Sequence, residues 1–182
     1  MIGERGAFLS KFETDQHLCD VPLCNAIVNL LGGQVKTAID IGCGNGTYTI
    51  QLRAQGIDCL GYDASPLTPE ITNGLCGVMD FSEYIDLGKF DLVLSLEVGE
   101  HIPPQYEQVF IDNVCRATDK YVILSWAVEG QNGMGHVNCK NNDYVIQEMG
   151  KREFIYNGLY TQFLKFEISL FWLKDTLMVF NK

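Results

Sequence analysis

The chain reads as an α/β fold in which strands alternate with helices. Three observations predict it. Residues 37–41 (TAIDI) are a short apolar run, β-branched at three of five positions, that leads straight into GCGNG. Residues 90–96 (FDLVLSL) are apolar almost throughout, as a strand buried on both faces should be. Around these runs lie segments with apolar residues at helical spacing.

Residues 1–19 are mixed in character and are expected to form a mobile N-terminal segment. Asp20-Val21-Pro22 starts a helix, with proline tolerated in its first turn. Leu23, Ala26, Ile27, Leu30 and Leu31 follow at helical spacing, and Gly32-Gly33 stops it. Residues 37–41 are the first strand, and residues 47–55 a helix closed by Gly56. Residues 58–62 (DCLGY) form the second strand, ending at Asp63. Thr68-Pro69-Glu70 opens a short helix that Asn73-Gly74 ends. Residues 75–79 are the third strand and 90–96 the fourth.

Residues 104–116 carry Tyr106, Val109, Phe110 and Val114 on one face, an amphipathic helix. Residues 121–126 (YVILSW) are the fifth strand. The glycine- and asparagine-rich stretch 127–141 is a long loop beyond that strand's end, and such loops are commonly functional. Residues 143–149 and 160–167 read as helices, 154–156 and 176–180 as strands.

Composition narrows the function. At 182 residues the chain is long enough for one domain with a sizeable core, so residues 1–182 are taken as a single domain. The formal net charge of −10 disfavours nucleic acid and anionic membrane as partners, since phosphate contacts rest on Lys and Arg. No apolar run is long enough for a membrane span. The N-terminus lacks the apolar core of a signal peptide, so the cytoplasm is expected. The seven cysteines are odd in number and scattered, with no C-x-x-C, which argues against zinc-ribbon and disulfide frameworks.

The corner at residues 37–46 carries the chemistry. Glycines at 42, 44 and 46 let the backbone turn sharply and lie against a ligand, where a Cβ would collide. Dinucleotide folds that clamp a pyrophosphate use G-x-G-x-x-G. Here the spacing is G-x-G-x-G and Asp40 precedes it, an acid that repels a pyrophosphate and suits an ammonium group. Asp63, 23 residues after Asp40, stands where an acid ending a second strand accepts hydrogen bonds from ribose hydroxyls. For Asp80 two readings stay open: a cap of its own turn, or an acceptor for an adenine amino group with Phe81 beside the ring.

Taken together, Asp40, Gly42, Gly44 and Gly46, then Asp63, Asp80 and FDLVLSLEVGEHIP at 90–103, resemble the class I S-adenosylmethionine-dependent methyltransferases over residues 20–180. The resemblance implies a Rossmann-like seven-stranded, mostly parallel sheet with helices on both faces and an antiparallel last strand. It implies S-adenosylmethionine as cofactor, held by Asp40, Gly42, Cys43, Gly44, Gly46, Asp63, Ala64, Asp80, Phe81, Leu96 and Glu97. The segment before the first helix would then cover the cofactor. The acceptor is expected to be a small molecule or a glycan, methylated at oxygen.

His101, His136 and Glu100 are the catalytic candidates, because an oxygen acceptor needs a base. Glu97, Glu100 and His101 also repeat a pattern that holds a divalent metal in two resembling groups. These are the ubiquinone-pathway O-methyltransferases and the small-RNA 3′-end 2′-O-methyltransferases, and in the second a later histidine is added, here His136. Mg²⁺ or another divalent ion would then join the cofactor. The alternative is that these side chains pack and hydrogen-bond with no metal. For His136, general base, metal ligand and plain loop residue all stay open. His17 is expected on the surface, and Trp126, rather than Trp172, is expected to border the pocket. Competing readings are an RNA 2′-O-methyltransferase, a non-enzymatic binding protein of this fold, and, weakest, an NAD-dependent oxidoreductase.

Overall fold

A computed structural model describes residues 1–10 and 17–182. Seven strands form one sheet in the order β3-β2-β1-β4-β5-β7-β6. The strands are β1 (Thr37–Ile41), β2 (Asp58–Asp63), β3 (Gly77–Val78), β4 (Phe90–Ser95), β5 (Thr118–Ser125), β6 (Ile155–Tyr156) and β7 (Leu177–Asn181). Strands β1 to β5 pair in parallel, whereas β7 runs antiparallel to both β5 and β6. The helices are α1 (Val21–Leu31), α2 (Thr47–Ala54), α3 (Thr68–Ile71), α4 (Glu107–Ala117), α5 (Asn142–Gly150), α6 (Gly158–Glu167) and α7 (Phe171–Thr176).

Strand alternation divides the apolar side chains between two cores. Ile39, Val93, Val122 and Phe180 face one cluster, closed by Phe110 and Val114 of α4 and Met149 of α5. Ala38, Leu92, Leu94, Ile123 and Val179 face the other, closed by Leu23 and Ile27 of α1, Leu52 of α2 and Leu164 of α6. This two-sided burial is why the central strands are apolar without a polar face.

Several boundaries differ from those expected. The third strand shortens to two residues because it lies at the sheet edge, although Met79 N still donates to Asp63 O at 2.8 Å. The fifth strand starts at Thr118, since its polar first residues pair across a register shift beside Phe90. Trp126 falls just beyond its end. A 3-10 turn at Pro104–Tyr106 precedes α4. Helix α7 has no counterpart among the elements expected from sequence. It spans only six residues and is set by distant contacts rather than by a local pattern.

Within residues 1–10, Ile2 bridges Phe8, Gly3 N donates to Ala7 O, and Leu9 N donates to Met1 O. The rest of the expected mobile segment includes 11–16, which lie outside the described residues. No helix among the described residues is long and apolar enough to cross a membrane.

Candidate active site

The carboxyl ends of β1, β2 and β4 converge on the glycine corner, the edge where open α/β sheets take ligands. Gly42 N and Cys43 N both donate to Tyr62 O, at 2.8 and 3.0 Å, which folds the corner back over β2. Gly42 and Gly44 take positive φ values of 75° and 54°. A Cβ on Gly42 would stand 2.3 Å from Val98 Cγ2, and one on Gly44 would stand 1.7 Å from His17 Nδ1. Both positions therefore require glycine on conformational and steric grounds.

Two adjoining cavities open here and share Phe8, Gly42, Glu97 and His101. The larger, about 240 Å³, is also bordered by Asp40, Cys43, Leu96, Glu100 and His136. The smaller, about 60 Å³, is also bordered by Asp63, Ala64, Asp80 and Phe81. Every expected site residue except Gly44 and Gly46 reaches a cavity wall. Gly44 meets the His17 ring, and Gly46 packs on Thr72 and Cys76 behind the turn.

The three acids meet different surroundings. Asp40 is buried and accepts from Thr49 Oγ1 at 2.8 Å; burial pushes its carboxyl up to about 7. Asp63 ties the corner together, accepting from Gly44 N at 2.9 Å and Ser65 N at 2.8 Å. Each of its oxygens keeps a second lone pair for a ligand hydroxyl. Asp80 does cap its own turn, through Ser82 N at 2.9 Å, and also pairs with Arg5 at 3.3 Å.

Beyond β4, Glu97 adopts φ 55° and turns the chain into the EVGEH stretch. Its carboxylate accepts from Thr176 Oγ1 at 3.0 Å and Gln131 Nε2 at 3.3 Å. Glu100 is fully buried, and neither of its oxygens has a hydrogen-bond partner. Burial first, and the nearby Glu97 charge second, hold its carboxyl well above the usual range. His136 Nε2 lies 4.0 Å from Glu100 Oε1.

The imidazoles are oriented by backbone carbonyls. His101 Nδ1 is 3.2 Å from Gly135 O and His136 Nδ1 is 3.0 Å from Gln131 O. A carbonyl only accepts, so each Nδ1 carries the proton and each Nε2 keeps its lone pair. Burial lowers His101 to about 4, which keeps it neutral near pH 7.

Ligand atoms of Glu100, His101 and His136 all lie within 4.8 Å of one another. The expected four-residue set therefore divides. Three groups converge, and Glu97 is turned aside by Thr176 and Gln131.

Three placements correct the expectations from sequence. His17 is half-buried in the larger cavity rather than on the surface, its ring 5.5 Å from that of Phe8. Trp126 is wholly buried in the core, its Nε1 donating to Asn138 O at 2.7 Å. Trp172 borders the cavity instead, with Leu170 and Leu173. The indole of Trp126 is held inward because glycine at 99 leaves it room, 2.3 Å from where a Cβ would stand. Sequence reasoning also missed Arg5 and Phe8, which carry no periodic pattern.

Asp20 holds this wall in place. Wholly buried at the N-cap of α1, it accepts from Leu23 N at 2.9 Å through one oxygen. Through the other it accepts from Ser169 N at 2.7 Å, Ser169 Oγ at 3.0 Å and Leu170 N at 2.7 Å. Asp20→Ala loses a cap and strands buried donors, at about 3 kcal/mol. The thermal midpoint is expected to fall by roughly 6–12 °C. A calorimetric scan showing a drop below about 3 °C would refute this role for Asp20.

Comparisons with known proteins agree with this architecture. A family model described as a methyltransferase domain matches residues 16–125. The tocopherol O-methyltransferase of Arabidopsis thaliana is 28% identical over 109 residues, covering 51% of this chain and 31% of that protein. The chain thus spans about a third of the length of the curated relatives it matches.

Among solved structures, a sugar N-methyltransferase from Streptoalloteichus has TM-score 0.74 at 10% identity, covering 100% of this chain and 96% of that one. A TehB-like SAM-dependent methyltransferase from Corynebacterium glutamicum has TM-score 0.66 at 17% identity, covering 94% and 92%. Magnesium protoporphyrin IX methyltransferase from Synechocystis, solved with bound SAH, has TM-score 0.64 at 19% identity, covering 88% and 81%. With the 3-2-1-4-5-7-6 sheet, the glycine corner and a family match over more than half its length, this chain belongs to the class I S-adenosylmethionine-dependent methyltransferases.

Proposed function

We propose that the chain binds S-adenosylmethionine at the glycine corner and transfers its methyl group to an oxygen of a small-molecule acceptor. One observation carries this reading: a buried acid, Asp40, lies at the glycine corner beside a cavity whose neighbouring lobe is lined by Asp63 and Asp80. In this reading Asp40 meets the donor's ammonium group. Asp63 accepts from the ribose hydroxyls and Asp80 from the adenine amino group, with Ala64, Phe81 and Leu96 against the apolar faces. Gly42, Cys43, Gly44 and Gly46 shape the backbone around the donor.

The donor carries its own activation as a sulfonium, so the protein's main task is alignment. The acceptor hydroxyl loses its proton to His136 Nε2, and the imidazolium formed there draws the neighbouring Glu100 carboxyl, which burial holds above its usual range, toward its charged form. His101, kept neutral by burial, lines the same wall. The C–S bond breaks as the C–O bond forms, leaving S-adenosylhomocysteine, the methyl ether and a proton on the base. Absence of Lys and Arg among the described residues of the larger cavity, with the net charge of −10, weighs against RNA as acceptor. A single domain over residues 1–182 belongs to the same proposal.

A second reading is favoured by a specific observation. Glu100, His101 and His136 bring ligand atoms together, and both Glu100 oxygens lack a donor. Such a group calls for a proton or a cation. A divalent transition ion fits this donor set of one carboxylate and two imidazoles better than Mg²⁺, which takes oxygen ligands, and would lower the pKa of an acceptor hydroxyl.

Titration calorimetry with S-adenosylmethionine and S-adenosylhomocysteine, with and without Mg²⁺ and with NAD as control, tests the proposal. Binding of NAD alone would refute it. The pH dependence has a defined sign. An ammonium beside Asp40 favours its carboxylate, so binding releases the proton that Asp40 holds below about pH 7. Donor affinity should be highest between about pH 7 and the pKa of the donor's own amine near 8, and fall by up to about tenfold per pH unit below pH 7. In Asp40→Asn the affinity should be weaker and this slope absent.

A further inference from the structure

We infer that the acceptor is an uncharged amphiphile: a hydroxyl head on an aryl or alkyl body, with no phosphate or carboxylate. The inference rests on the methyltransferase reading above and names the substrate class of that site. The lining of the larger cavity is of two kinds. One is polar: Glu97, Glu100, His101 and His136. The other is apolar: Leu170, Trp172 and Leu173 of the α7 segment, with Leu18 and Met134.

The apolar wall continues outward. Leu18 and Met134 border the cavity yet are 58% and 51% exposed. Phe171, 75% exposed, sets its ring edge-on to Trp172 at 5.1 Å. Large apolar side chains at the mouth of a cavity, continuous with its lining, mark a surface that a ligand covers. Trp172 and Leu170 are held there by construction, since Asp20 fixes the turn at 169–170 and Thr176 Oγ1 lies 3.0 Å from Trp172 O.

Charge decides what the head can be. Among the described residues the larger cavity is bordered by Asp40, Glu97 and Glu100 and by no Lys or Arg. An anionic acceptor would be desolvated beside three carboxyl groups with no Lys or Arg to pair with it. A neutral hydroxyl can donate toward the histidine and glutamate wall while its body lies along Trp172 and Phe171. In the transfer step that hydroxyl gives its proton to the base, its oxygen gains the methyl group, and S-adenosylhomocysteine leaves.

The probes are phenol, 4-butylphenol, 4-octylphenol and 4-octylphenyl phosphate, titrated into the full chain saturated with S-adenosylhomocysteine and followed by calorimetry. Affinity should rise at least about tenfold from phenol to 4-octylphenol, because the added methylenes are removed from water. The phosphate ester should bind at least about tenfold more weakly than 4-octylphenol. Phe171→Ser should remove most of the chain-length gain, about fivefold for 4-octylphenol, while S-adenosylhomocysteine binds as before.

Equal affinity for phenol and 4-octylphenol, tighter binding of the phosphate ester, or no binding of any phenol would overturn the inference and leave the donor site standing. A chain-length gain undiminished in Phe171→Ser would also overturn it. If S-adenosylhomocysteine itself fails to bind, the methyltransferase reading falls, and this inference with it.

Discussion

Gly44→Val is expected to abolish measurable binding of S-adenosylmethionine, a loss of at least about a hundredfold. Two independent costs meet at this residue. Its φ of 54° lies in the left-handed region, where a β-branched side chain is a strained outlier. The new Cβ would also fall 1.7 Å from His17 Nδ1, so the ring or the corner must move.

Movement of the corner breaks the 2.9 Å bond from Gly44 N to Asp63 and so displaces the acid assigned to the ribose. Gly74→Ala is the matched control. Gly74 has φ 77°, and a Cβ there would meet nothing within 4 Å. That variant therefore incurs only backbone strain of about 1 kcal/mol and should retain affinity. Calorimetric titration of both variants decides the matter. Affinity in Gly44→Val within threefold (roughly 0.7 kcal/mol) of the parent would remove the glycine corner from the binding site.

His136→Ala and Glu100→Gln are each expected to lower kcat by about 10² to 10⁴, with donor affinity nearly unchanged. The measurement is methyl transfer to 4-octylphenol under saturating donor. Glu100→Gln keeps the shape of a wholly buried side chain and removes only its ability to titrate.

The two groups act on one proton, His136 Nε2 lying 4.0 Å from Glu100 Oε1, so the double variant should be little worse than either single one. Multiplicative losses would mean separate roles. A kcat within about threefold of the parent in both single variants would move the base elsewhere.

Much of this fold was legible along the chain because its causes are local. The TAIDI run, the glycines that follow and the helix behind them each depend on near neighbours, and strand alternation around β4 and β5 reports burial on both faces. Asp40, Asp63 and Asp80 were legible for the same reason, since each lies in, ends or follows a strand that the pattern marks. The residues at the first Glu of EVGEH and after were legible as chemistry but not as geometry. Nothing local distinguishes Glu97, which Thr176 and Gln131 turn aside, from Glu100, which is left buried without a partner.

The remaining features depend on contacts between segments far apart in sequence. Asp20 reaches Ser169 and Leu170, 149 and 150 residues away, and thereby places a six-residue helix too short to announce itself by periodicity. That contact puts Trp172 on the cavity wall, while the space left by Gly99 draws Trp126 into the core.

Phe8 reaches the site because residues 1–10 fold across it, where Arg5 meets Asp80 and the Phe8 ring lies 5.1 Å from His101 and 5.5 Å from His17. Strand identity, turn chemistry and the glycine corner follow from spacing and conformational preference within a few residues. Which side chains share the larger cavity follows from packing, whose partners only the folded chain brings together.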